Sequence, residues 1–438
     1  MKIFNWSDLN SEEQAFVLSR PALDQSASVS EKVAQIISQV RQNGDEAVKA
    51  LTETFDGVTL DHLAVSPAEF EDAESSISAR SREAILTAIE NVSKFHEVQK
   101  PSSISIETMP GVTCRREARP IERVGLYVPG GTAPLPSTVV MLGVPATIAG
   151  CPLKVLCTPP RKDGSIDPHI LVAAKLTGID QVYKAGGAQA IAAMAFGTGS
   201  IPSVSKIFGP GNTWVTEAKL QVAKDPAGAM YDMPAGPSEV MVIADENASP
   251  DFIASDLLSQ AEHGVDSQSI LVTNSKHIAE QVVEAVMTQL SQLSRKDIAA
   301  IALEKSRIIT TDNLSEALAI SNRYGPEHLI IQVTDPESWT SKIHNAGSVF
   351  LGPWSPESVG DYASGTNHVL PTYGYAKAVS GLSLDSFLKQ VTFQNLSAEG
   401  LCSLGPTVEH LAELEGLDAH KNAVSIRLQQ LKGKGLSS

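Results

Sequence analysis

Glu327 and His328 stand side by side behind the turn Tyr324-Gly325-Pro326, a carboxylate next to an imidazole. Such a pair can activate water and shuttle a proton near neutral pH. A second polar run, Gly360-Asp361-Tyr362-Ala363-Ser364-Gly365-Thr366-Asn367-His368, reads as a glycine-rich loop that could fold Asp361 and His368 back onto the pair. A third, Leu257-Leu258-Ser259-Gln260-Ala261-Glu262-His263-Gly264, closes a helix in which Gln260 and His263, three apart, share a face. Gly264 supplies the stop. A histidine at a helix end is ordinarily a favourable cation at the negative pole of the dipole. It becomes a metal ligand only where others converge, and Asp361 and His420 carry the donor types that zinc accepts. Taken alone, a Glu–His pair is more often the polar part of a solvated turn than a functional pair.

The elements that must carry these residues follow from the apolar rhythm. From residue 121 short apolar strands alternate with helices: strands at Val124–Val128, Lys154–Thr158, Gln181–Ala185 and Lys206–Phe208, with helices near 137–149, 168–177, 188–196 and 212–223. The pattern repeats with strands at Glu239–Ala244, Ser269–Thr273, Arg307–Thr310, Leu329–Val333 and Ser348–Leu351. The helices between them are expected over Pro250–His263, 276–293, 314–324 and 336–345. This alternation predicts parallel sheets covered on both faces. The fold class is α/β, with two similar doubly wound domains. Residues 28–123 plus 238–379 are assigned to the first and 124–237 to the second, flanked by an N-terminal arm (1–27) and a helical tail (380–438). The tail is broken at Gly405-Pro406 and kinked at Gly416. Capping boxes at Ser28-Val29-Ser30-Glu31 and Ser66-Pro67-Ala68-Glu69 open two N-terminal helices.

In open parallel sheets ligands collect at the carboxyl ends of strands. The loops Tyr127-Val128-Pro129-Gly130-Gly131, Ala185-Gly186-Gly187-Ala188-Gln189 and Phe208-Gly209-Pro210-Gly211-Asn212 suit a phosphate there, because glycine lets backbone N–H groups come close. None matches G-x-G-x-x-G, since Trp214 is the sixth residue from Gly209. Glu327 and His328 precede Leu329-Ile330-Ile331, so they begin a strand, at the less usual edge for an active site.

Composition bounds the function. The 438 residues are 42% apolar and carry 50 acidic against 34 basic side chains, a net charge of −16, which argues against a duplex-binding or basic membrane surface. The uncharged stretch Val124–Leu153 is interrupted by five prolines and five glycines, so it forms no spanning helix. Met1–Glu12 has no apolar core for a signal peptide. Cys114, Cys151, Cys157 and Cys402 make no C-x-x-C pair, as in reduced cytoplasmic proteins; a reactive thiol at Cys114, beside Arg115 and Arg116, is the alternative.

Taken in order, these motifs resemble the histidinol dehydrogenase family over nearly the whole chain. The resemblance rests on Gly125–Gly131, Gly209–Asn212, Asp232–Glu239, Gln260–His263, Gly325–His328, Gly360–His368 and Glu415-Gly416-Leu417 to Ala423. It implies two incomplete Rossmann-like domains and a zinc-dependent, NAD-linked oxidation of L-histidinol through an aldehyde to L-histidine. Gln260, His263, Asp361 and His420 would hold one zinc per subunit. Ser238, His368 and Glu415 would contact the substrate beside those ligands and the acid–base residues Glu327 and His328. Tyr127, Gln189 and Asn212 would line the NAD site. The resemblance further implies a homodimer whose C-terminal tail completes the neighbouring site. A same-family dehydrogenase of another small hydroxylated compound, and a non-catalytic α/β module binding a small ligand, are the rival readings.

Overall fold

The computed structural model describes residues 1–20, 27–130, 134–234 and 236–433. Its strands, in chain order, are β1 (Lys2–Asn5), β2 (Ile104–Met109), β3 (Val112–Pro120), β4 (Arg123–Tyr127), β5 (Leu153–Thr158), β6 (Gln181–Lys184) and β7 (Lys206–Phe208). After these come β8 (Met230–Tyr231), β9 (Glu239–Ala244), β10 (Gln268–Thr273), β11 (Arg307–Thr310), β12 (His328–Gln332), β13 (Ser348–Leu351) and β14 (Leu388–Leu396). The chain divides into two compact units. One is Met1–Gln99 with Ile121–Phe387; the other is Lys100–Pro120 with the segment from Leu388 onward.

The larger unit holds two all-parallel sheets, ordered β6-β5-β4-β7-β8 and β1-β11-β10-β9-β12-β13. Setting β1 aside, each sheet winds identically: its third, second, first, fourth and fifth strands lie side by side. That is the Rossmann order without its sixth strand. All six residues of β9 and of β10 are buried, the near-continuous apolar run that a parallel sheet covered on both faces requires. Alternate side chains part to opposite faces. Val240 and Val242 pack with Ile253 and Leu257 of the helix Pro250–Ala261, whereas Met241 and Ile243 pack with Ala317 and Ile320 of the helix Leu314–Tyr324.

The N-terminal third differs from expectation. β1 pairs with β11, and Trp6 and Val17 are buried against β9–β12, so the arm joins the six-stranded sheet. The helices expected on that sheet instead cover the five-stranded one. Val33, Ile37, Val40 and Val48 pack with Tyr127, Val155 and Ile191, while Ile85 and Val92 pack with Leu126 and Val140. The Ser66 capping box forms as expected, with Pro67 in the first turn. The first long helix starts at Ala27, so Ser28 lies inside it and its cap falls outside the described residues, as do Gly131 and Ala235.

The smaller unit adds to the expected helical tail a strand where none was anticipated after Val379. Leu388–Leu396 is a nine-residue strand, paired antiparallel to β3, which pairs with β2. The helices Ala398–Leu414 and Asp418–Gly433 follow. The first continues through Pro406, and Gly405 beside it lets Leu428 approach: a Cβ there would lie 2.9 Å from Leu428 Cδ1. The expected turn at Gly416 is present, with φ 69°. In the larger unit two further differences appear. Residues 337–342 form only 3₁₀ turns, and a helix at Lys296–Lys305 was not anticipated.

Candidate active site

The helix Leu314–Tyr324 ends at Gly325, whose left-handed backbone (φ 66°) caps it by an N–H bond to the Ser321 carbonyl. Pro326 prevents its continuation, and His328 opens β12. The pair therefore sits at the amino end of a parallel strand, where the two halves of the sheet's winding meet at β9 and β12. The backbone of β9 fixes both side chains. The Glu239 N–H donates to the Glu327 carboxylate (2.9 Å), and the Glu239 carbonyl lies 3.3 Å from His328 Nδ1. A carbonyl only accepts, so Nδ1 carries the proton. His328 shares its face of β12 with Ile330, whose cluster includes the helix that carries Gln260.

Opposite this amino edge, the five-stranded sheet presents its carboxyl edge. Pro129 after β4 and Gly209–Asn212 after β7 bound the same cavity of 340 Å³. Of the residues singled out from sequence, Asn212, Ser238, Gln260, His263, Glu327, His328, Asp361 and His368 all line it. Asp361 is not in a loop as expected. It occupies a six-residue helix, Glu357–Tyr362.

That helix also contributes Glu357, which sequence reasoning missed. Glu357 is 1% exposed and neither carboxylate oxygen has a hydrogen-bond partner. It lies 3.7 Å from His328 Nδ1, as does Glu327, while Asp361 lies 3.6 Å from Nε2. Its only sequence signal was the four-residue spacing from Asp361, legible once a helix is assumed there. Burial pulls the His328 imidazole down, but Glu357, Glu327 and Asp361 outweigh it and push it up to about 10. Burial raises Glu327 to about 8 against the lowering influence of His328 and the Glu239 N–H. For Asp361 burial acts upward, yet the His328 imidazole 3.6 Å away and the charges of His368 and His263 leave it below its ordinary value. His368 is lowered, chiefly by burial. Its Nδ1–H donates to the Asp361 carbonyl (2.7 Å), leaving Nε2 to accept from the Thr138 hydroxyl (3.3 Å).

The donor set fits a divalent ion. Gln260 is fully buried, yet both its amide oxygen and nitrogen lack partners, a costly arrangement unless a ligand meets them. His263 donates Nδ1–H to the Ser259 carbonyl (2.9 Å), a bond that fixes the ring and leaves Nε2 as a ligand atom. Asp361 completes a nitrogen–oxygen set suited to zinc. A second grouping, His328, Glu357 and Asp361, also has ligand atoms within 4.8 Å of one another. It leaves the Gln260 amide unexplained, so the first set fits better.

The remaining expected residues lie elsewhere. Tyr127 and Gln189 are buried at the carboxyl edge of the five-stranded sheet and do not line the 340 Å³ cavity. The Tyr127 hydroxyl accepts the Gly187 N–H (3.1 Å), and burial pushes it up to about 12. The same edge carries a 570 Å³ cavity bounded by Gly130, Thr158, Pro159 and Lys162. Asn212 caps the helix Thr213–Lys224 through bonds from the Trp214 and Val215 N–H groups. Glu415 and His420 belong to the smaller unit, one ending the helix Ala398–Leu414 and the other in the first turn of Asp418–Gly433, both exposed. Cys114 lies inside β3, facing Ile106 and Gln394, not at a helix N-terminus that would activate a thiol.

A family model described as histidinol dehydrogenase matches residues 18–428. Histidinol dehydrogenase of Vibrio vulnificus strain CMCP6 is 56% identical over 435 residues, spanning 99% of this chain and all of that protein. That of Aliivibrio fischeri is 57% identical over 431 residues, 98% of this chain and 97% of its own. The crystal structure of histidinol dehydrogenase from Elizabethkingia anophelis superposes with a TM-score of 0.94 at 50% identity, covering 99% of both chains.

Proposed function

The chain belongs to the histidinol dehydrogenase family of histidine-biosynthesis oxidoreductases, and from that premise we propose that it oxidises L-histidinol through L-histidinal to L-histidine with zinc and two molecules of NAD. The observation that carries this reading is the single cavity in which the Glu327–His328 pair faces Gln260, His263 and Asp361. Gln260, His263 and Asp361 would hold the zinc, with His420 as the fourth ligand. A zinc ion held by these residues would supply Lewis-acid chemistry, orienting the substrate through its nitrogens and polarising its oxygen.

In its neutral form His328 takes the hydroxyl proton as the first hydride leaves the carbinol carbon, and the carboxylates that push its imidazole up stabilise the cation it becomes. Its Nδ1–H is anchored on Glu239, so Nε2 is the basic atom. Water then adds to the aldehyde, with Glu327 removing the proton, and the second hydride leaves the hydrate. A carboxyl raised toward neutrality by burial is suited to that step. Ser238, His368 and Glu415 would contact the substrate. Tyr127, Gln189 and Asn212 would border NAD, whose nicotinamide supplies the hydride acceptor; the cavity beside Gly130 and Pro159 offers room for the rest of it.

We further propose a homodimer in which Glu415 and His420 complete the neighbouring site. Their exposure and the exposed Trp354, Val359 and Tyr362 around the Asp361 helix support this. The free thiols of Cys114, Cys151 and Cys157 support a cytoplasmic setting, and no helix among the described residues is long and apolar enough to cross a membrane. The test is purified, zinc-loaded protein with NAD and a panel of amino alcohols. Two NADH per L-histidinol is expected, and no NADH from L-histidinol would refute the proposal.

A further inference from the structure

We infer that Arg20, in the N-terminal arm, is a positioning residue that sets the geometry of Glu327 and His328; this rests on the proposal that those two residues do the chemistry. Arg20 makes a bidentate pair with Glu239, Nε to Oε2 at 2.6 Å and Nη2 to Oε1 at 2.9 Å. The pair is nearly dry, with side-chain exposures of 13% and 2%. Glu239 is the residue whose backbone N–H holds Glu327 and whose carbonyl faces His328. The same guanidinium donates from Nη2 to the Tyr324 and Gly325 carbonyls (3.1 and 3.3 Å), the turn that delivers the acid–base pair. It stacks 3.7 Å over the Tyr324 ring, whose hydroxyl lies 2.8 Å from Glu239 Oε2.

A third segment meets it as well. Arg20 lies 5.9 Å from the ring of Tyr373, the only described non-glycine residue with positive φ. Neighbouring Thr372 lines the cavity and accepts the Gly236 N–H. One side chain thus ties together three stretches that form the cavity wall: 236–239, 324–328 and 372–374. Only a planar guanidinium offers donors in this fork while stacking on a ring; an ammonium cannot do both. An ion pair serving stability alone is replaceable by apolar groups, but an apolar pair would release the two carbonyls of the turn.

The test compares Arg20→Ala, Arg20→Lys and the double variant Arg20→Met with Glu239→Gln, which removes the pair without stranding a buried charge. Zinc content and thermal midpoint are measured beside kcat and KM. A kcat loss of about 10- to 100-fold is expected, with KM for L-histidinol and NAD changed by less than about threefold, since misplacing a catalytic group acts on the chemical step. Millimolar guanidinium ion should restore part of kcat to Arg20→Ala, and Arg20→Lys should recover little. Wild-type kcat in a folded Arg20→Ala enzyme, or in the double variant should Arg20→Ala not fold, overturns the assignment. A loss confined to KM does the same. His328→Ala and Glu327→Gln run alongside: full activity in them would remove the acid–base reading itself. Their inactivity beside an intact Arg20→Ala would remove only the role of Arg20.

Discussion

Replacing Glu327 by Gln separates the two oxidations. The side chain is 7% exposed, and its carboxylate accepts the Glu239 N–H at 2.9 Å. A glutamine amide oxygen accepts that bond, so the local fold survives. Burial raises the carboxyl to about 8, so near neutrality it exchanges between the acid and the carboxylate that serves as base. Because the amide matches the neutral acid in size and hydrogen bonding, stability at pH 7 should change by less than about 1 kcal/mol. What disappears is the base. General-base assistance accounts for about 10²- to 10⁴-fold in rate, roughly 3–5 kcal/mol of barrier. His328, which serves the alcohol proton, remains anchored by Glu239. Stopped-flow NADH formation should therefore fall by that factor with L-histidinal as substrate, and by less than about tenfold in the first turnover of L-histidinol. An equal loss in both half-reactions, or a loss in the first alone, would refute the division of labour.

Three further outcomes follow from other parts of the molecule. Asp256 is buried beneath the site, accepts a bond from Gln332 Nε2 at 3.0 Å, and is pushed by burial from its ordinary 3.8 to about 7. Because the folded state binds this proton more tightly than the unfolded chain, its contribution is complete below pH 4 and lost as pH rises through 7. The loss is at most about 4 kcal/mol. Asp256→Asn should flatten that fall in urea titrations at pH 5 and pH 8, and an unchanged slope would contradict it. Gly209→Ala should cost about 3 kcal/mol or more and abolish NAD binding, because a Cβ there would lie 2.0 Å from the Tyr127 carbonyl oxygen at φ 118°; calorimetry and NAD titration check it. His263→Ala and His420→Ala should each lose zinc by metal analysis, and mixing them should restore partial activity through one intact site per dimer. No recovery after verified subunit exchange would place the ligands within one chain.

The sequence disclosed most where one physical demand acts on many residues at once. β9 and β10, buried on both faces, had to be near-continuous apolar runs (residues 240–244 and 270–272), and both were read to within a residue. β14 escaped because its sequence, LKQVTFQNL, is mostly polar and only partly buried, so Val391 and Phe393 were its main strand signal. β2, with Ile104 and Ile106 exposed, was equally faint. The helix Glu357–Tyr362 is too short for a periodicity to develop, which is why Asp361 was assigned to a loop and Glu357 was overlooked. The convergence of Gln260, Asp361 and His328 is a tertiary fact. Spacing put Gln260 and His263 on one face, but nothing local revealed that the Gln260 amide would be buried without partners. Residues 28–99 were attached to the wrong sheet because amphipathic helices declare an apolar face, not what covers it.

The register of β12 against β9 constrains how this protein can vary over evolutionary time. A single residue inserted between Gly325 and His328 would turn every β12 side chain to the opposite face, handing the imidazole's place to a neighbour and sending the base into a helix-packed interior. The 3₁₀ segment at Glu337–Lys342, by contrast, could lengthen without disturbing either sheet. Indels among descendants of this scaffold should accordingly accumulate around such outer turns, and the three-residue spacer ahead of the imidazole should keep its length even where its side chains drift.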